Sequence, residues 1–257
     1  MDLFFREYGQ GQPVVILHGL LGISDNWVAF SRRLAGEGFR VLIPDQRNHG
    51  HSPHHPVLNY YALTDDLSEF IARHQLENPV LIGHSMGGKV AMRYTLENPE
   101  TVKKLVVVDT SLRAYYRFNY HLRLIDAMLA VDFDKIVTRQ EVEKQLYNKI
   151  GDSRLVMFLM KNLFWKEKGK LGWRHALAAI SQNIDAMYDG VFYSVKYSRP
   201  ALFIRGGQSD YILDEDIPAI TQSFPQSIIK TIENGTHWVH ADEPELFYRY
   251  VLGFLKS

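Results

Sequence analysis

The sequence predicts an α/β protein built on a mostly parallel, doubly wound sheet, with a helical segment inserted between two late strands. Short, nearly unbroken β-branched runs recur along the chain, stretches of helical spacing separate them, and one long interval breaks the rhythm. Runs apolar at successive positions suit strands covered on both faces, as in a parallel sheet under helices.

Taken in order, the strand-like runs are Val14–Leu17, Val41–Ile43, Val80–Ile82, Leu105–Val108, Ala201–Ile204 and Ser227–Ile232. Leu3–Tyr8 precedes a Gly-Gln-Gly-Gln turn region and reads as an antiparallel edge strand hairpinned to Val14–Leu17. Between the runs, Trp27, Phe30 and Leu34 make one apolar stripe, and Leu63, Leu67, Phe70 and Ile71 make another. Phe247, Tyr250, Val251 and Phe254 repeat the pattern after Pro244, which fits a first helical turn. Strand alternating with helix in this way is the pattern of a doubly wound sheet.

The interval from Val108 to Ala201 is too long for a bare connection. Leu122, Ile125, Met128 and Leu129, and later Leu177, Ile180, Ile184 and Met187, recur at helical spacing. Residues 113–196 therefore read as a helical lid, and residues 1–112 and 197–257 as the core that carries it. The segment is rich in aromatics, Tyr115, Tyr116, Phe118, Phe164, Trp165 and Trp173 among them. Singly these are packing residues; together they would line an apolar pocket.

Composition narrows the function. Lys plus Arg and Asp plus Glu balance at 29 each, without the basic excess that binding a nucleic-acid duplex requires. With 46% hydrophobic residues the chain can build a sizeable core, and no run approaches the roughly 18 apolar residues of a membrane-spanning helix. The opening Met-Asp-Leu-Phe-Phe-Arg-Glu lacks the basic-then-apolar order of a secretory signal. There are no cysteines, which excludes disulfides, thiolate metal sites and a cysteine nucleophile. The expectation is a cytoplasmic, metal-free globular protein.

Gly83-His84-Ser85-Met86-Gly87 is a G-x-S-x-G pentapeptide between a strand and a helical segment. In such a strand-to-helix elbow the turn is tight enough to demand small flanking residues, and it lifts the Ser hydroxyl clear of the sheet. The helix that follows points its amide dipoles at that hydroxyl. Ser85 is thus the candidate nucleophile. His18-Gly19-Leu20-Leu21-Gly22, after another strand, can turn a backbone amide toward the elbow, so the amides of Leu20 and Met86 are the candidate oxyanion donors. The His18 side chain reads as a brace for that loop. The order Ser, acid, His requires a late general base, and His237 fits it, on a Gly-containing loop just past a strand; His240 reads as packing or capping.

With these residues in view, the chain resembles the α/β-hydrolase-fold serine esterases of the abhydrolase family over nearly its whole length. The matching blocks are HGLLGISDNW from His18, DQRNHGHSP from Asp45, GHSMGGKVAM from Gly83 and GTHWVHADEP from Gly235. It is most similar to the small bacterial and mitochondrial esterases with an RNHG-S-P loop and a GHSMGGK elbow. The resemblance implies cofactor-free hydrolysis of short to medium acyl esters, or of acyl thioesters. It also implies that the loop from Asp45 shapes the pocket floor, with Asp45 and Arg47 in structural hydrogen bonds.

The acid stays open between two residues. The usual family pattern puts Ser209 at the acid position, with Asp210 one residue late. The most similar esterases carry Asp instead at the end of the preceding strand, here Asp109. Both strand ends face the elbow's edge of the sheet; Asp109 is favoured and Asp210 is the alternative. The four histidines of Asn48–His55 sit on a Pro- and Gly-punctuated loop, poor ground for a zinc site. Lys89 reads as structural or solvated. Two other readings share the scaffold: a small-molecule receptor that keeps its triad, and a hydrolase that cleaves C–C or amide bonds.

Overall fold

The computed structural model describes residues 1–116 and 119–257. Phe118, one of the aromatics singled out above, lies outside the described residues.

The chain begins with β1 (Phe5–Tyr8), β2 (Gln12–Leu17), α1 (Val28–Gly36), β3 (Phe39–Pro44) and α2 (Tyr60–Arg73). It continues with β4 (Val80–His84), α3 (Met86–Glu97) and β5 (Lys104–Val108). Beyond the insertion come β8 (Ala201–Gly206), α8 (Ile217–Ser223), β9 (Ser227–Ile232), the short α9 (Val239–Asp242) and α10 (Pro244–Lys256). The sheet order is β1-β3-β2-β4-β5-β8-β9. All pairings are parallel except β1 with β3.

Alternate residues of each strand feed two separate cores. Val15, Leu17, Leu81, Leu105 and Val107 face α2, α3 and the insertion, whereas Val14, Ile16, Ile82, Val106 and Val108 face α1 and α10. The unbroken apolar runs follow from this two-sided burial.

The edge strand corrects one expectation. β1 pairs with β3, Phe5 opposite Pro44 and Tyr8 opposite Val41, and makes no hairpin with β2. β2 is buried on both faces and already holds β3 on one side and β4 on the other, so neither edge is free. The turn instead carries the chain across the sheet edge. Gly9 adopts a φ of +74°, and a Cβ there would stand 2.3 Å from the Phe39 carbonyl oxygen.

Between β5 and β8 lie α4 (Asn119–Leu129), α5 (Arg139–Ile150), α6 (Ser153–Met160), β6 (Leu163–Glu167), β7 (Lys170–Trp173) and α7 (Leu177–Gln182). The segment is not wholly helical: β6 and β7 form an antiparallel hairpin, closed where Gly169 takes a φ of +82°. Side-chain capping starts two of its helices, with Thr138 and Glu141 in a reciprocal box and Asp152 accepting from Arg154 and Leu155. At its neck the two chain passages pair, Tyr115 N–H to Tyr188 O and Val191 N–H to Leu112 O, both at 2.8 Å. Lys89, on α3, lies directly beneath. Its ammonium donates to the carbonyls of Arg113 and Asp189, the outgoing and returning passages. Lys89 is therefore a buried clasp, only 1% exposed, and not a solvated side chain.

Candidate active site

The elbow is set by close packing. Ser85 has a φ of +52°, a conformation that a non-glycine residue adopts only when its surroundings enforce it. A Cβ on Gly83 would stand 2.2 Å from the Gly87 carbonyl oxygen, and one on Gly87 would stand 2.3 Å from that of Leu17. Neither position accepts any other residue without displacing backbone. The Ser85 amide donates to Val108 O, which fixes the turn to the end of β5.

Three side chains from distant segments converge there. His237 Nε2 lies 2.9 Å from Ser85 Oγ, and His237 Nδ1 lies 2.8 Å from Asp109 Oδ2. Asp109, in the turn after β5, is fully buried and has a φ of +47°, which swings its carboxylate sideways past β8. Its Oδ1 accepts from the Gly206 amide at 2.9 Å, and its Oδ2 accepts in addition from the Ser209 hydroxyl at 2.5 Å. The other candidate acid is differently placed. Asp210 is exposed, its carbonyl accepts from Arg113, and among the described residues no hydrogen bond or ion pair joins its carboxylate to His237.

Leu20 and Met86 both border the narrow cavity that opens on Ser85. The Met86 amide is the first of α3 and has no acceptor within its own helix. The Leu20 amide likewise has no acceptor among the described residues, while its neighbours are pinned. His49 Nε2 accepts from the Leu21 amide at 3.1 Å, and the Leu21 carbonyl accepts from His175 at 3.0 Å and from Asn162 at 3.2 Å. His18 Nε2 accepts from the Gln46 amide at 3.0 Å, and its Nδ1–H donates to Gly19 O.

These imidazoles are held neutral by burial, with His18 drawn down to about 4 and His49 to about 3. For His18 and His49 neutrality is necessary, because one ring nitrogen of each accepts a hydrogen bond. The loop from Asp45 thus acts differently from the pocket floor that the resemblance implied. Its residues are not among those bordering the Ser85 cavity; they brace the Leu20 loop from below. Asp45 accepts from the Ser24 and His51 amides, and Arg47 forms a two-pronged pair with Asp66 at 2.6 and 2.8 Å. The four histidines of this loop do not converge on one point. His49 is buried, His51 meets Arg174 Nη1, His54 meets Arg174 O, and His55 accepts from the Val57 amide.

His240 stacks on Trp27 at 4.4 Å and 13°, a packing position. Of the insertion's aromatics, Tyr115 borders the Ser85 cavity, Phe164 and Trp173 border a separate surface groove, and Tyr116 is exposed.

Several contributors were not legible in the sequence. Tyr211 stacks flat on His237, with centroids 3.8 Å apart. His121, on α4, borders the cavities on both sides of Ser85; burial, with the nearby His237 imidazole adding to it, draws it down to about 4. The only sequence signal for the support of Asp109 was a serine standing where the family pattern expects an acid.

Comparison with known proteins places this geometry among relatives. A family model described as alpha/beta hydrolase fold matches residues 12–135. The chain is 36% identical to the sn-1-specific diacylglycerol lipase ABHD11 of Danio rerio, over 98% of this chain and 81% of that protein. It is 31% identical to the esterase YbfF of Escherichia coli, over 95% of this chain and 93% of that one. A solved structure, a marine microorganism esterase, superposes with a TM-score of 0.95 at 41% identity, covering 98% of this chain and 99% of its own.

Proposed function

The chain belongs to the α/β-hydrolase family and is an ester-cleaving serine hydrolase, and from that premise we propose that Ser85, His237 and Asp109 carry out its reaction. One observation carries the assignment: a single imidazole bridges Ser85 Oγ and Asp109 Oδ2 at 2.9 and 2.8 Å.

Ser85 Oγ attacks the acyl carbonyl carbon while His237 Nε2 takes its proton. Asp109 accepts from Nδ1–H, which fixes the tautomer and stabilises the imidazolium as it forms. The amides of Leu20 and Met86 receive the negative charge on the carbonyl oxygen, each such donor contributing about 3 kcal/mol to the transition state. The tetrahedral species collapses as His237 protonates the leaving alcohol or thiol. Water, deprotonated by His237, then attacks the acyl-enzyme and releases the carboxylic acid.

The substrates are small-molecule esters, or acyl thioesters, with short to medium acyl chains. The narrow cavity beside Ser85 supports the shorter end of that range. The segment 113–196 serves as the lid that closes over them. Among the described residues no helix is long and apolar enough to cross a membrane. With a cysteine-free sequence, the cytoplasm is the proposed site of action.

The test is labelling with a fluorophosphonate followed by peptide mapping, with turnover of p-nitrophenyl esters and acyl-CoA thioesters of increasing chain length measured alongside. Modification of Ser85, and a fall in kcat of about 10⁴-fold or more in Ser85→Ala, are expected. Labelling elsewhere would sink the assignment.

A further inference from the structure

Two cavities border Ser85, each with about 20 Å³ open, but they adjoin very different surroundings. On one side lies the cavity bordered by Tyr60, Lys89, Thr110, Tyr115, Met187 and Tyr188, with about 20 Å³ open, room for about one water molecule. On the other, a passage bordered by Tyr120, His121, Leu124, Phe158, His237 and Trp238 leads outward from Ser85. Beyond it lies a groove of about 870 Å³ between α6 and the start of α1. Tyr120, Phe158, His237 and Trp238 border both, so the groove adjoins the passage across these four side chains.

His237 tells which part of an ester each side receives. The proton it takes from Ser85 must be delivered to the leaving oxygen, so the leaving group lies on the imidazole's side and the acyl chain on the other. His237 borders the passage and the groove but not the small cavity. Resting on the assignment of Ser85 and His237 above, we infer that the enzyme is built for esters of a short acyl group with a bulky, apolar alcohol, and that the groove is the leaving-group subsite.

The lining supports an apolar occupant. Trp27, Phe30, Leu155, Met157, Phe158 and Trp238 line the groove, and Met157 is 56% exposed there. Two of its cations are already matched, Arg33 by Glu245 at 2.6 Å and Arg154 by Asp242, while Arg139 donates to the carbonyls of Met160 and Leu163. The small cavity cannot widen cheaply. It is bordered by the buried Lys89 clasp and by Tyr115 and Tyr188 of the paired neck of the insertion.

Isomeric esters test the division without changing overall hydrophobicity. Octyl acetate puts its long chain on the leaving side, and ethyl octanoate puts it on the acyl side. The wild-type kcat/KM should favour octyl acetate by about tenfold or more. Ala29→Trp, which fills the groove from the exposed face of α1, should lower that ratio about fivefold. A ratio at or below unity, with hydrolysis still dependent on Ser85, would overturn the inference. So would a ratio unmoved by Ala29→Trp. Failure to hydrolyse either ester would instead overturn the assignment of Ser85 and His237 on which it rests.

Discussion

Ser209 and His237 meet at one oxygen: Asp109 Oδ2 accepts the Ser209 hydroxyl at 2.5 Å and faces His237 Nδ1 at 2.8 Å. Ser209 stands where the family pattern expects the acid itself. In the proposed triad the acid is Asp109, one strand back along the sheet at the end of β5, and Ser209 on the loop after β8 holds its carboxylate in place. Gly206 N–H completes the cradle from the end of β8.

Removing that support should misdirect the carboxylate without abolishing it. Ser209→Ala is expected to lower kcat about tenfold with little change in KM, since the hydroxyl supports the Asp109 carboxylate and does not itself touch the imidazole. Ser209→Thr, which retains a donor, should recover part of the loss. A Ser209→Ala enzyme with wild-type kcat would show that the contact has no catalytic consequence.

The two candidate acids should separate sharply. Asp109→Asn is expected to cost about 10³–10⁴-fold in kcat, because an amide cannot hold the same imidazole tautomer. Asp210→Asn should stay within about twofold of wild type, its carboxylate being exposed and unconnected to His237. Steady-state kinetics on one ester suffice. Equal activity in both variants would refute the assignment of Asp109.

Mild acid should destabilise the fold through the histidines around the Leu20 loop. In the folded protein His18 protonates only near 4 and His49 near 3, whereas an unfolded histidine takes its proton near 6.5. Below about 6.5 the unfolded chain binds more protons, so stability is fully present above that pH and is lost as the pH falls. The decline extends through about 4 and 3, at up to roughly 1.4 kcal/mol per pH unit for each group. Denaturant midpoints measured between about pH 7 and pH 5 should fall with pH, before most carboxylates titrate. A flat profile there would contradict the buried neutral state.

Lys89 works in the same direction, in a higher pH window. Burial lowers its ammonium from 10.5 to about 7, so between those values the unfolded chain holds a proton that the folded protein has released. Stability contributed at this site therefore rises with pH across that window. Compared with Lys89→Met, the wild type should gain on the order of 1 kcal/mol per pH unit from about pH 7 to pH 10, the contributions common to both cancelling. Thermal melts of the two proteins in parallel would show it, and a constant difference would mean that the clasp is not desolvated.

Much of this protein was written locally. The elbow could be read from the pentapeptide because its requirements, no Cβ at Gly83 or Gly87 and a hydroxyl between them, are met by adjacent residues. The two-sided burial of the sheet was likewise visible in unbroken apolar runs, and the insertion in an interval too long for a loop. His237 was found by chain order and by its place after a strand.

What the sequence left open depends on residues remote from one another. Whether Asp109 or Asp210 faces His237 turns on the direction of each side chain at the ends of two adjacent strands, and on which serine and amide meet the carboxylate there. The partner of β1 was decided by β2 having no free edge, and the service of the Asp45 loop by imidazoles reaching from beneath the Leu20 loop. The cavities on either side of Ser85, and the groove beside one of them, arise where the insertion packs back on the core, and no run of neighbouring residues encodes a volume. Local patterns specify turns and faces because neighbouring residues satisfy them; distances between segments exist only once the whole chain has packed.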